Sequence, residues 1–212
     1  MILSEKFKFY FIHIPRTGGT SVEIALNDIH HTDTTTFQFV NHLAKEKHPQ
    51  VLTTTYLKYR HVNQNFVKSI LNNLQYDYKN WYEFTFVRNP YDRVLSLYEF
   101  YATRIWQNQS PKKFLSLDDF LTQLENLQNL GNFYKPQTYW IDSPLTAKVH
   151  LHRFENIQQE WQDICKTLSL DYKPLPHKNK SENRESVHLT DKQKETIYEY
   201  YKVDFLNLGY DK

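Results

Sequence analysis

The sequence predicts a three-layer α/β fold, a central and mainly parallel sheet flanked by helices, and three observations carry that expectation. Two runs, Phe9-Tyr10-Phe11-Ile12-His13-Ile14 and Tyr82-Glu83-Phe84-Thr85-Phe86-Val87, have the length and the β-branched, aromatic content of buried strands. Each passes through a tight turn into a helical stripe without a spare residue, and strands separated by helices pair in parallel through right-handed crossovers. No Pro/Gly/Ser-rich linker, repeat or low-complexity tract interrupts the 212 residues, so 1–212 reads as one domain with room for a good core.

The elements follow in order. A strand is expected over 8–14, then a helix over 20–27 whose stripe is Val22, Ile24, Ala25 and Leu26. A further strand is expected to end near Arg60, before a helix over 64–74 that gathers Phe66, Val67, Ile70, Leu71 and Leu74 on one face. The second clear strand, 82–88, leads to a helix over 90–104. Asn89 suits its N-cap and Pro90 its first position, where a missing N–H costs nothing. A helix over 117–128 opens at Ser116 with Asp119 three residues on, and one over 190–202 opens at Thr190 with Gln193, both approaching the capping-box pattern. Between them lie a strand over 148–154 and a helix over 156–169 carrying Trp161, Ile164, Cys165 and Leu168. This pattern leaves the strand order open. It does set the two strand-to-helix turns at the same edge of the sheet, the carboxyl edge where open α/β sheets bind ligands.

Composition excludes several function classes. The formal net charge is +2, which gives no case for a nucleic-acid binder. The single cysteine, Cys165, sits on a helical stripe and reads as a small buried hydrophobe, so neither a disulfide framework nor a cysteine metal set is expected. Ten histidines are scattered, and His30, His31, His42, His48 and His188 lack metal-ligand spacing. Met1-Ile2-Leu3 runs at once into Ser4-Glu5-Lys6, and no apolar run approaches a bilayer span, so the expectation is a cytoplasmic protein with neither signal peptide nor membrane segment. Aromatic residues make up 16% of the chain; they are more often core than sugar-stacking platform.

The first turn carries the chemistry. In Pro15-Arg16-Thr17-Gly18-Gly19-Thr20-Ser21, the amides of the helix N-terminus and the hydroxyls of Thr17, Thr20 and Ser21 converge where an anion would sit. Gly18 and Gly19, two of only four glycines, allow a positive φ or a close approach to a ligand. The turn is not a nucleoside triphosphate loop, because no lysine follows the glycines, and the dinucleotide pattern G-x-G-x-x-G is missing. An empty strand-to-helix turn remains the plain alternative.

What the string resembles is the 5′-phosphosulfate loop of sulfotransferases, usually P-K-T-G-G-T-S, which binds 3′-phosphoadenosine 5′-phosphosulfate (PAPS). The second junction, FTFVRNPYDRVLSLYEFY, resembles the 3′-phosphate motif of the same enzymes, whose arginine and serine fall here on Arg88 and Ser96. Two motifs in the expected order outweigh a surface cation beside a filler serine. Arg93 reads as structural, on the premise that an arginine on a helix surface is solvated or paired. The likeness is most specific to the heparan sulfate 2-O-sulfotransferases and related carbohydrate sulfotransferases. It continues in His152-Arg153-Phe154-Glu155-Asn156, in Leu175-Pro176-His177-Lys178-Asn179-Lys180-Ser181 and in Asp204-Phe205-Leu206-Asn207-Leu208-Gly209-Tyr210. Little of it is visible from Thr32 to Tyr56 or from Asn108 to Tyr139.

This resemblance implies a P-loop-like sulfotransferase fold and the transfer of a sulfuryl group from PAPS to a hydroxyl acceptor, a saccharide or glycan by family. The product is adenosine 3′,5′-bisphosphate (PAP), and the chemistry demands no metal. It implies binding of the donor by Arg16, Thr17, Gly18, Gly19, Thr20 and Ser21 and by Arg88 and Ser96. Arg184 is the candidate to close over the same phosphate, against the ordinary reading of a solvated loop arginine. His61, just ahead of the 64–74 helix, matches the place of the base in uronyl 2-O-sulfotransferases. His13 and Glu23 are its rivals, one reading as a core histidine and the other as a carboxylate on the first turn of a helix. Arg16, the second catalytic candidate, stands where the family has a lysine that contacts the bridging oxygen and helps the leaving group; a guanidinium cannot hand over its proton, so it would stabilise the phosphosulfate oxygens by charge and forked hydrogen bonds. Two other classes remain: a P-loop phosphotransferase using ATP, and a non-catalytic module that binds PAP or a sulfated glycan. The missing lysine and the lack of an evident magnesium-binding acid weigh against the first.

Overall fold

The computed structural model describes residues 2–4, 6–32, 37–39, 63–73, 75–102, 116–141, 149–176 and 188–212. Five strands form one sheet: β1 (Ile2–Ser4), β2 (Phe9–Ile12), β3 (Phe37–Phe39), β4 (Tyr82–Val87) and β5 (His150–Arg153). Their order is β3-β1-β2-β4-β5. β2, β4 and β5 pair in parallel, with Phe11 beside Phe84 and Phe84 beside His150, whereas β1 is antiparallel to both β2 and β3. The helices are α1 (Gly19–Thr32), α2 (Gln64–Asn73), α3 (Pro90–Phe100), α4 (Leu117–Thr122), α5 (Leu124–Leu130), α6 (Ile157–Thr167) and α7 (Asp191–Leu208).

Side-chain alternation along the strands divides the layers. Phe9 and Phe11 of β2 and Phe84 and Phe86 of β4 face one side, where Val22, Ala25 and Leu26 of α1 and Trp161, Ile164 and Cys165 of α6 cover them. Tyr10 and Ile12 face the other side, against Val67 and Leu71 of α2, Trp81, Trp140 and Leu208. A third cluster joins α3, α4, α5 and α7 through Val94, Leu97, Phe120, Leu124, Tyr201 and Phe205. β4 is buried over Glu83–Val87, as a central parallel strand covered on both faces must be.

The expected alternation of strands and helices is present, with three differences. The antiparallel pair β1 and β3 extends the parallel core. The turn from β1 into β2 lacks glycine and asparagine; Lys8 takes the left-handed conformation instead, at φ 53°, while the Phe7 amide donates to Ser4 Oγ. The 117–128 helix divides at Gln123, which leaves helical geometry at ψ 1°. α7 runs on to Leu208 because Asp204, Phe205 and Leu208 keep a buried face, and Gly209 ends it in the left-handed conformation at φ 65°. The strand expected near Arg60 lies outside the described residues.

Capping holds where it was expected. Asn89 Oδ1 accepts from the Tyr91 amide with Pro90 in the first turn, and Thr190 with Gln193 forms a full capping box. α2 is fastened to the sheet by a buried polar contact. Gln64 Nε2 donates to Glu83 at 2.5 Å and to the Tyr10 hydroxyl at 3.4 Å, and burial with the neighbouring Glu83 pushes the Tyr10 phenol well above its ordinary range.

Candidate active site

The chain leaves β2 through His13 and Ile14 and turns over Pro15–Gly18 into α1. Thr17 is fully buried and its hydroxyl donates back to the Ile14 carbonyl at 3.0 Å. The expectation that the Thr17 hydroxyl faces an anion is thus corrected: the side chain is turned inward and locks the turn. Gly18 takes φ +85°, and a Cβ there would lie 2.5 Å from Ile157 Cδ1 and 2.9 Å from Phe154 Cδ2. Gly19 has no positive φ; a Cβ on it would overlap the His13 ring. The two glycines therefore answer to different neighbours, α6 for one and His13 for the other. The Gly18 carbonyl accepts from Ser21 N at 2.9 Å, closing the first turn of α1, which holds no acidic residue to offset its positive end.

Arg88 follows β4 at the same edge of the sheet and is 5% exposed. Its backbone is clamped by Gln137: the Arg88 amide donates to Gln137 Oε1 at 2.8 Å, and Gln137 Nε2 donates to the Arg88 carbonyl at 2.8 Å. Asp204 holds Gln137 in turn, accepting from its amide at 2.8 Å, and also takes the Thr138 amide and hydroxyl at 3.0 and 3.1 Å. Burial pushes the Asp204 carboxyl up from its ordinary range, and the Arg93 charge and these donors pull it back. The Arg88 guanidinium lies over the Phe154 ring at 4.3 Å, so Phe154 packs between that cation and the Gly18 turn.

The two motifs interlock through Arg16. It takes φ 68°, a left-handed conformation costly for a residue with a side chain, and its Nε donates to Ser96 Oγ on α3 at 3.0 Å. Its guanidinium lies over the Phe100 ring at 5.0 Å, one turn further along α3. The Arg16 carbonyl accepts from Arg88 Nη1 at 3.4 Å and the Pro15 carbonyl from Arg93 Nε at 3.0 Å. Two arginines thus hold successive carbonyls of the turn, the over-determination that a strained backbone needs. Arg93 is structural as expected, but the premise of a helix-surface residue is corrected. It is 1% exposed, also reaches the Lys135 carbonyl at 3.1 Å, and has its guanidinium pKa lowered by burial.

The downstream strings that resemble the family's motifs brace this edge. Glu155 Oε1 accepts from the Asn89 amide at 2.6 Å, and its Oε2 accepts from the Tyr210 hydroxyl at 3.2 Å. Arg153 Nη2 donates to the Leu208 carbonyl at 2.6 Å with its guanidinium over the Tyr210 ring at 4.2 Å. The R-F-E-N and D-F-x-x-x-G-Y segments therefore meet at the N-cap of α3.

His13 and Glu23 form a buried pair, Nδ1 to Oε1 at 2.7 Å, each 3% exposed. Glu23 is the fifth residue of α1 and turns to His13; the expectation of a first-turn carboxylate is corrected. His61 and Arg184 lie outside the described residues. Sequence reasoning missed Gln137, Asp204, Phe154 and Glu155 as parts of the site's frame; the last three sit within quoted strings, whereas no local signal marks Gln137.

Arg16, Arg88 and Ser96, beside a helix N-terminus, form a donor set suited to a ligand with more than one anionic group. Residues 1–211 match the Sulfotransferase family, and the chain belongs to that family. It is accordingly a PAPS-dependent sulfotransferase: membership implies PAPS as the sulfuryl donor and a hydroxyl-bearing acceptor. Comparisons with curated proteins and with solved structures returned no match. Among the described residues, no helix is long and apolar enough to cross a membrane.

Proposed function

We propose that this enzyme carries the sulfuryl group of PAPS to a carbohydrate hydroxyl, with His61 accepting the hydroxyl proton and residues 1–212 acting as one domain. One observation carries the donor half: the α1 cradle and the Arg88–Ser96 pair share an edge of the sheet and are tied together by Arg16. PAPS supplies an activated sulfuryl group, whose bond to the bridging 5′-phosphate oxygen breaks onto that oxygen as the acceptor oxygen bonds to sulfur. The amides at the start of α1 and the Thr20 and Ser21 hydroxyls hold the 5′ end and offset the charge growing there. Arg88 and Ser96 hold the 3′-phosphate, and Arg184 closes over it.

His61 takes the acceptor's proton on a ring nitrogen. Support for that role is positional. His61 stands between the two motifs in the chain, a place that resembles that of the base in uronyl 2-O-sulfotransferases. The saccharide acceptor rests on the likeness to carbohydrate sulfotransferases.

Calorimetry with PAP and ATP, followed by transfer from PAPS to a panel of saccharides and simpler alcohols, tests the proposal. PAP is expected to bind far more tightly than ATP and sulfate to appear on a saccharide. Replacing Arg88 with Ala is expected to weaken PAP while sparing adenosine 5′-phosphosulfate. Comparable ATP affinity would refute the donor, and transfer to simple alcohols only would refute the saccharide.

A further inference from the structure

We infer that Arg16 belongs to the 3′-phosphate site with Ser96 and Arg88, as a donor-selecting residue, and is not the cation of the leaving group. This rests on the donor proposed above. Three features of the turn lead to it. The left-handed backbone at Arg16 accompanies a side chain laid along α3, with Nε on Ser96 Oγ at 3.0 Å and the guanidinium over the Phe100 ring at 5.0 Å. Ser96 and Phe100 are one helical turn apart, so they share a face of α3 and give the guanidinium both a polar and an aromatic rest. Arg88 reaches the same residue from the other side, through Nη1 to the Arg16 carbonyl at 3.4 Å.

A displacement of Arg16 towards the bridging oxygen would give up the Ser96 contact and the ring contact together. A 3′-phosphate offers three acceptor oxygens to a guanidinium already there. Its fork geometry suits that anion, which the point charge of a lysine would meet without the second hydrogen bond. The strain at φ 68° is the kind stored where a side chain must be aimed, and the Arg88 and Arg93 bonds to the turn's carbonyls hold it in place. Leaving-group stabilisation then falls to the amides at the start of α1.

The experiment compares PAP with adenosine 5′-phosphate, which lacks only the 3′-phosphate, by calorimetry on the wild type, Arg16→Ala and Arg16→Gly. The glycine variant accepts the left-handed φ and guards against a folding defect. Loss of a charge-assisted contact is expected to weaken PAP about 10- to 100-fold in both variants while adenosine 5′-phosphate changes less than about twofold. In steady state the KM for PAPS rises and kcat at saturating PAPS stays within a few-fold. Equal weakening of the two nucleotides, or a collapse of kcat with KM unmoved, would overturn the assignment and return Arg16 to the sulfuryl end. Wild-type protein binding PAP no better than adenosine 5′-phosphate would overturn the donor proposal as well.

Discussion

Adding one methyl group at Gly19 tests how the cradle is built. An alanine Cβ there would lie 2.7 Å from His13 Cγ and closer still to Cδ2 and Nε2, against an optimal carbon separation of about 3.5–4.0 Å. The ring must therefore retreat by roughly 1 Å or more, or the start of α1 must shift. Neither is cheap, because the ring is held by Glu23 at 2.7 Å and stacked on Phe11 at 5.8 Å with 23° between planes. Overpacking of this kind costs about 1–3 kcal/mol. A net loss near 2 kcal/mol lowers Tm by roughly 4–8 °C in a domain of this size. Scanning calorimetry on Gly19→Ala, with and without His13→Ala, reads the effect. In the His13→Ala background the same methyl is expected to cost less than about 0.5 kcal/mol, a coupling of roughly 1.5 kcal/mol. The cycle subtracts what His13→Ala loses by itself when Glu23 loses its partner. Gly131 serves as the control, since a Cβ there meets nothing within 4 Å. Equal cost in both backgrounds would refute the steric reasoning. So would an unchanged Tm with PAP affinity lost, which would show that the glycine serves ligand approach instead.

The remaining predictions concern the base, the frame and the thiol. His61→Ala is expected to keep PAP affinity and lose roughly two to four orders of magnitude in turnover. The wild-type rate is expected to rise with pH through the histidine range, because only neutral imidazole accepts a proton; wild-type turnover in the variant would move the search to His13 and Glu23. Gln137→Ala strands the Arg88 amide and carbonyl in a buried place, so urea unfolding is expected to show about 2–4 kcal/mol lost along with weaker PAP binding, and unaltered stability would refute the clamp. Burial pushes the Cys165 thiol up to about 12. As the thiolate is the nucleophile, alkylation at pH 8 is expected only as fast as the protein unfolds, and rapid labelling of folded protein would refute its burial.

How much of this was legible depended on the range of the interaction. Strand content at 9–12 and 82–87, the Asn89 and Thr190 caps and the start of α3 are local matters, decided by residues within one turn of each other, and the sequence displays them directly. The antiparallel β1 was hidden because its turn uses Lys8 at positive φ, which no residue type announces. Gln137 was hidden for a different reason. A side-chain amide that copies a strand's hydrogen bonds to Arg88 has partners 49 and 67 residues away, and nothing around 137 hints at either.

The α/β order and the tight strand-to-helix turn of Pro15 to Ser21 were readable in the chain alone, whereas Arg88 and Ser96 were singled out by their resemblance to the sulfotransferase 3′-phosphate motif. The order and the turn follow from periodicity, caps and spacing within one stretch of chain. The contacts of Arg16 and Gly18 in that turn, by contrast, come from segments distant in the chain. The tertiary structure set Gly18 against Phe154 and Ile157, Gly19 against His13, Thr17 inward on Ile14 and Arg16 across to Ser96, 80 residues on. Those contacts depend on β2 lying beside β4, and pairing of distant strands is a choice that local propensity cannot make.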